Sequence, residues 1–328
     1  MAEVSSIERK RIDYIDIAKG IGIIFVILGH SEFHHSHVLR LLSGIAWMFH
    51  MPLFFILSGL CFRKKGGEII YTLFRRLAVP FYFTILLFVV FYLATGHLEE
   101  SKDWIWGGIY GSGVSYYTPF YIKGVGALWF LLALFWAKII LNYIIHLPEY
   151  LVAALVVLLA VWGVYSYSRF VLPVEIQNGC IGLLYLFIGF LAHKYGLLQK
   201  ICWPPLVFAS LVWVLAYFNN YGYMTLVNCD VDVISVVVSC CACYVVMIFS
   251  KMLEGVKILC RILTWLGKNT IIILCFHMFE LYTGISGKIA AALFSSDAVD
   301  TVFIVRMVWC LCFALVIPKI PYVRKIFT

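Results

Sequence analysis

The chain is poor in charge. Only 13% of its 328 residues are Asp, Glu, Lys or Arg, against 63% apolar, and the mean hydropathy is +0.98. A water-soluble domain of this length cannot hide that much apolar surface, so a soluble enzyme is excluded and an integral membrane protein is expected. Nor is a cleavable leader apparent. The first twelve residues, MAEVSSIERKRI, are polar, and no small-residue cleavage site follows the first apolar run, which reads as a retained anchor. The eleven cysteines carry no paired CxxC…CxxC spacing, which disfavours both zinc and a disulfide framework. They read as small buried hydrophobes, and no metal is expected. Acidic residues number 17 against 25 basic ones, a formal charge of +8. In a soluble protein this would suggest nucleic acid; here it fits basic loops beside a membrane, and no nucleic-acid partner is expected. No soluble domain, low-complexity tract or clear internal repeat is visible.

What is present is a series of apolar runs in a chain that is 17% aromatic, with ten Trp and twenty Tyr suited to membrane interfaces. A helix crosses the hydrocarbon in about 20 residues. Ten candidates follow, at 13–33, 43–62, 76–95, 125–145, 150–166, 179–195, 203–219, 231–252, 262–283 and 299–318. The fold class expected is an all-α bundle of about ten transmembrane helices, forming one membrane-embedded domain over 1–328. The longest connection, 96–124, reads as functional rather than as a plain link. With the N-terminus inside, 18 basic residues fall on the inner side and 5 on the outer, setting aside Lys19 and Arg306. That bias predicts cytoplasmic N- and C-termini.

The first run, KGIGIIFVILGH at 19–30, separates a lysine from a histidine. Eleven residues are three turns plus about 20°, so Lys19 and His30 share a helix face, roughly 16 Å apart along the axis. Asp16 can pair with Lys19 on that face. Ionisable groups in a span normally face a bundle interior or a watery cavity. His50, His277, Glu280 and Arg306 fall at a depth similar to His30, His277 and Glu280 on one face, and Trp129 opens the fourth span from the same side. These groups are candidates for one polar chamber, or each is satisfied separately at an interface. At the other end, LFRRLAVP brings Arg75 and Arg76 into the third span, just after FRKK at 62–65. Arginine grips phosphate by a planar fork, so this rim serves either as a topology signal or as a phosphate seat.

In this order the motifs are specific. The stretch RIDYIDIAKG leads to Lys19 and, eleven residues on, His30; FHMPLFFILSG ends in Ser58 and Gly59; FRRLAVP, GALWFLLALF and LGKNTIIILCFH follow. The chain resembles the acyltransferase-3 family of bacterial membrane acyltransferases over nearly its whole length, most closely the short branch similar to fucose O-acetylases, which is without the fused esterase-like domain of longer members. Many members have Arg where this chain has Lys19, so a bidentate contact is lost.

The resemblance implies acetyl transfer from cytoplasmic acetyl-CoA to a hydroxyl of a surface or exported glycan, or of its lipid-linked precursor, in the cytoplasmic membrane. The CoA head would rest on Arg75 and Arg76, with the arm passing Lys19 and the thioester near His30. His30, with an unperturbed pKa near 6.5, is the expected general base; a transient acetyl-histidine is the alternative. Glu32 and Glu280 are candidate orienting carboxylates. Lys19, His277 or Arg306 would supply an oxyanion donor. Trp129, His50 and Arg306 are candidates for acceptor contacts. Ser58 and Gly59 read as small residues for close helix contact rather than as a nucleophile. A glycan transporter or flippase, and a membrane module serving another enzyme, are the competing functions; a homodimer is possible.

Overall fold

The computed structural model describes residues 13–31, 33, 36–117, 120–220, 231–294 and 299–327. Their regular structure is helical, apart from an isolated antiparallel bridge between Tyr116 and Ile122. In chain order the helices are α1 (Asp13–Gly29), α2 (His37–Ala46), α3 (His50–Leu60), α4 (Ile69–Leu73), α5 (Val79–Ala94), α6 (Leu98–Tyr110), α7 (Trp129–Ile144), α8 (Glu149–Tyr167), α9 (Ile176–Lys194), α10 (Trp203–Phe218), α11 (Val233–Met252), α12 (Lys257–Lys268), α13 (Thr270–Thr283), α14 (Ile285–Leu293), α15 (Val299–Val316) and α16 (Pro321–Phe327).

Among the described residues six helices are long and apolar enough to cross a membrane, and two bent pairs raise the number to eight. The other two of the ten sequence candidates form α1 and α10, of 17 and 16 residues. The chain is thus a multi-pass, all-α membrane protein, with many large apolar side chains turned outward among the described residues. Long stretches such as α15 expose Ile304 and Val308, as a lipid-facing surface requires.

Three interruptions depart from the expected straight spans. The run 43–62 is broken at Trp47–Phe49, where α2 and α3 meet at 48°. Pro52 has no N–H for the Met48 carbonyl, so the helix restarts with proline in its first turn. The His50 ring then caps the Ala46 carbonyl, Nδ1 to O 2.6 Å. The run 262–283 breaks at Asn269, with α12 and α13 at 70°. The Asn269 amide donates to the Trp265 carbonyl at 2.8 Å, occupying an acceptor that the ended helix leaves free. Between α4 and α5, Phe74–Ala78 is a π-helical turn, with Val79 N–H bonded to the Phe74 carbonyl. Pro80 explains it: the missing N–H cannot serve the carbonyl four residues back, so the turn widens. The connection 96–124 is partly helical. It contains α6, whose Trp104 stacks on Phe88 at 3.7 Å between centroids.

Small residues let the helices around the site touch backbone to backbone. A Cβ at Gly267 of α12 would lie 1.9 Å from the Asp16 carbonyl oxygen of α1, and one at Gly59 of α3 would lie 2.0 Å from the Leu186 carbonyl oxygen of α9. Gly59 therefore does what the sequence suggests. Gly267→Val should force α12 off α1 and cost about 3 kcal/mol or more, since backbone cannot yield as a rotamer can. Gly66→Ala is the control, because nothing lies within 4 Å of its new Cβ. Thermal unfolding in detergent should show a large drop for the first variant and none for the second; equal midpoints would refute the packing argument.

Candidate active site

One stripe of α1 runs the length of the site. Lys19, Ile23, Val26 and His30 recur at helical spacing and stack on one face. Each lines a hollow: Lys19 a chamber of about 800 Å³, Ile23 and Val26 a neck of about 30 Å³, His30 a second cavity of about 190 Å³. The hollows are neighbours with shared walls. Phe54, Phe130, Leu131, Thr270 and Ile271 line both chamber and neck, and Met51 lines both neck and second cavity.

The large chamber is basic. Lys19, Arg63, Lys65, Arg76, Lys138, Lys268 and Arg324 line it, and no carboxylate does among the described residues. Lys19 pairs with Asp16 at 3.4 Å. The loop carrying Arg63 and Lys65 is pinned to α7, because Lys65 N–H donates to Asn142 Oδ1 at 2.8 Å and Asn142 Nδ2 donates to the Lys65 carbonyl at 3.2 Å. The break at Asn269 brings the first residues of α13, Thr270 to Ile272, into the wall. A helix N-terminus set among cations favours a bound polyanion. Arg76 faces this chamber from the π-helical turn, whereas Arg75 points away, its Nη2 donating to the Lys325 carbonyl at 3.5 Å. Lys138 also has a sequence signal: it is a lone lysine inside the apolar run of α7.

The second cavity gathers the histidines. The ring centroid of His30 is 5.6 Å from that of His277 and 5.1 Å from Trp47, which in turn stands edge-on to His50 at 5.3 Å. His277 and Glu280 are completely buried, and His277 Nδ1 lies 3.1 Å from Glu280 Oε1. With a carboxylate as its partner, Nδ1 is the protonated nitrogen and Nε2 carries the lone pair. Arg306, from α15, forms an ion pair through Nε with the same Glu280 oxygen, without the alignment of a hydrogen bond. Its Nη1 donates to the His30 carbonyl at 2.7 Å and to Ser31 Oγ at 2.9 Å. Arg306 thus ties Glu280 to the backbone that carries His30. His277 Nε2 and Glu280 Oε2 are buried without a hydrogen-bond partner among the described residues. Each such atom costs about 1–3 kcal/mol, a cost carried at sites of chemistry more readily than in plain core.

Trp129 is buried and lines this cavity beside Gly126 and Ala127. Gly126 has φ +58°, and a Cβ there would meet Met278 Sδ at 2.9 Å, so glycine is required. Gly113 and Val114 bring the 96–124 connection into the wall. Trp47 and Tyr282 also line the cavity and have no separate sequence signal. Of the sequence candidates, His30, His50 and Trp129 line the cavity, and His277, Glu280 and Arg306 adjoin it through His30. Lys19 and Arg76 belong to the basic chamber, and Arg75 lines neither. Glu32 lies outside the described residues.

The family model of an acyltransferase domain, acyltransferase-3, matches residues 12–320. The chain belongs to the acyltransferase-3 family. No curated protein and no solved structure matches it. The matched region of this acyltransferase contains both ends of the α1 stripe and the whole His30–His277–Glu280–Arg306 cluster; Arg324, at the chamber rim, follows it.

Proposed function

We propose that this membrane acyltransferase moves an acetyl group from acetyl-CoA to a hydroxyl of a surface or exported glycan, or of its lipid-linked precursor, in the bacterial cytoplasmic membrane. The observation that carries the reading is the sequence of hollows along α1: a basic chamber, an apolar neck and a histidine cavity. CoA has matching parts: a phosphorylated nucleotide head, a thin arm and a terminal thioester. Arg76, Lys138 and Lys268 would hold the phosphates. The positive-inside bias supports a cytoplasmic side for the chamber and both termini, where acetyl-CoA is made. The histidine cavity then faces the exported acceptor.

In the transfer, the glycan hydroxyl oxygen attacks the thioester carbonyl carbon while His30 takes the hydroxyl proton. The tetrahedral intermediate collapses as the C–S bond breaks. The His30 imidazolium returns the proton to the departing sulfur, giving an O-acetyl ester and free CoA thiol. His277, oriented by Glu280, supports the His30 ring, and Arg306 fixes the His30 backbone; both are positioning residues. Lys19, roughly 16 Å from His30 along α1, serves the donor head rather than the thioester. A transporter reading is less well supported, because the family model that matches the chain is that of an acyltransferase domain.

Release of CoA, followed chromatographically because a thiol reagent would also titrate exposed Cys61 and Cys202, should require crude cell-surface glycan. Arg76→Ala and Lys138→Ala should each raise the KM for acetyl-CoA about tenfold or more, with little change in acceptor KM. No CoA release with any glycan, together with no measurable CoA binding, would overturn the proposal.

A further inference from the structure

We infer that the apolar neck makes the protein selective for uncharged acyl groups, so that acetyl-CoA is turned over whereas succinyl-CoA is bound and held unreacted. This rests on the acyl-CoA reading above. The neck is lined by Ile23, Val26, Met51, Phe54, Phe130 and Leu131, with Thr270 as a hydroxyl at the chamber end. Ile23, Val26 and Leu131 are buried to within 2%. Phe54 and Phe130 stand 5.7 Å apart between ring centroids, and the space among these side chains is about 30 Å³. An acyl group that threads it leaves its hydration shell behind.

For an acetyl methyl that step is free of cost or favourable. For a succinyl carboxylate it is doubly disfavoured. The carboxylate would give up water for a lining whose other side chains are apolar past the single Thr270 hydroxyl at the chamber end. It would also leave a chamber whose Lys19, Arg76 and Lys138 attract it. Beyond the neck it meets no lysine or arginine in the lining of the histidine cavity among the described residues. Arg306 adjoins that cavity, but it is engaged by Glu280, Ser31 and the His30 carbonyl. The basic chamber therefore recognises the shared CoA head of both thioesters, and the neck discriminates between their acyl ends.

The test compares acetyl-CoA and succinyl-CoA with the purified full chain and crude cell-surface glycan. The value of kcat/KM for acetyl-CoA should exceed that for succinyl-CoA by about a hundredfold or more. Succinyl-CoA should nonetheless inhibit acetyl transfer competitively, about as well as free CoA. Phe54→Ser, which wets the neck, should narrow the discrimination about tenfold; Phe54→Leu should keep the wild-type ratio. Wild-type succinyl transfer at a rate comparable to acetyl transfer overturns the inference while leaving the acyltransferase reading intact. An unchanged ratio in an active Phe54→Ser variant overturns it too, and if that variant does not fold, the wild-type comparison decides alone. Consumption of neither thioester, with no CoA binding, removes the underlying reading and this inference with it.

Discussion

His30→Ala should lower acetyl transfer by about 10²–10⁴-fold, the usual contribution of a positioned general base, with acetyl-CoA affinity nearly unchanged. The separation of the site into two hollows gives this prediction its form. His30 lines the cavity of about 190 Å³, whereas the cations lie in the chamber of about 800 Å³ beyond the neck. Removing the imidazole should therefore strike kcat and spare donor binding, the pattern of an interaction used only in the transition state. The backbone tie from Arg306 to the residue 30 carbonyl survives the substitution, so the fold should persist. Calorimetric titration with CoA and single-turnover CoA release would measure the two halves. A variant that retains more than about a tenth of wild-type turnover would remove His30 from the role of base. CoA release by the wild type without acceptor, lost in the variant, would instead mark an acetyl-histidine and a two-step transfer.

The sequence carried this much because one element holds both ends of the site. Eleven residues are close to three full turns, so a lysine and a histidine at 19 and 30 had to share a face of any straight helix. Other parts depended on where helices stop being straight. The breaks at Trp47–Phe49 and Asn269 lie within runs whose mean hydropathy stays high across the break, so hydropathy alone reads each as one span. Only the proline at 52 and the Lys268-Asn269 pair hinted otherwise. α6 went unread because its apolar residues are mixed with Glu99, Glu100, Lys102 and Asp103, as suits a helix of which one face alone is buried. Arg75 and Arg76 are indistinguishable as a pair in sequence, yet successive side chains on a helical turn point in different directions, and only Arg76 reaches the chamber. Convergence across elements was the least legible. Nothing in the order of residues says that Arg306 of α15 would meet the His30 carbonyl and Glu280 together.

That meeting leads to the largest expected effect on stability. Arg306→Ala should destabilise the protein by about 3–5 kcal/mol, because it strands Glu280 as a buried carboxylate facing only His277. Glu280 is 1% exposed and His277 wholly buried, so water cannot reach in to compensate. Glu280→Gln should cost a similar amount from the other side, leaving the guanidinium with only Ser31 Oγ and the His30 carbonyl. The double variant should then be less damaged than the sum of the two, with a coupling of about 1–3 kcal/mol, since neither charge is left uncompensated. Thermal midpoints of the wild type, both single variants and the double variant in one detergent would complete the cycle. Additive losses would show that the pair is not coupled, and that Arg306 acts only through the α1 backbone. Activity separates the two roles further. The double variant should lose less stability than the two single losses combined, yet regain no turnover, because the His30 backbone loses its anchor and His277 loses the carboxylate that sets its tautomer.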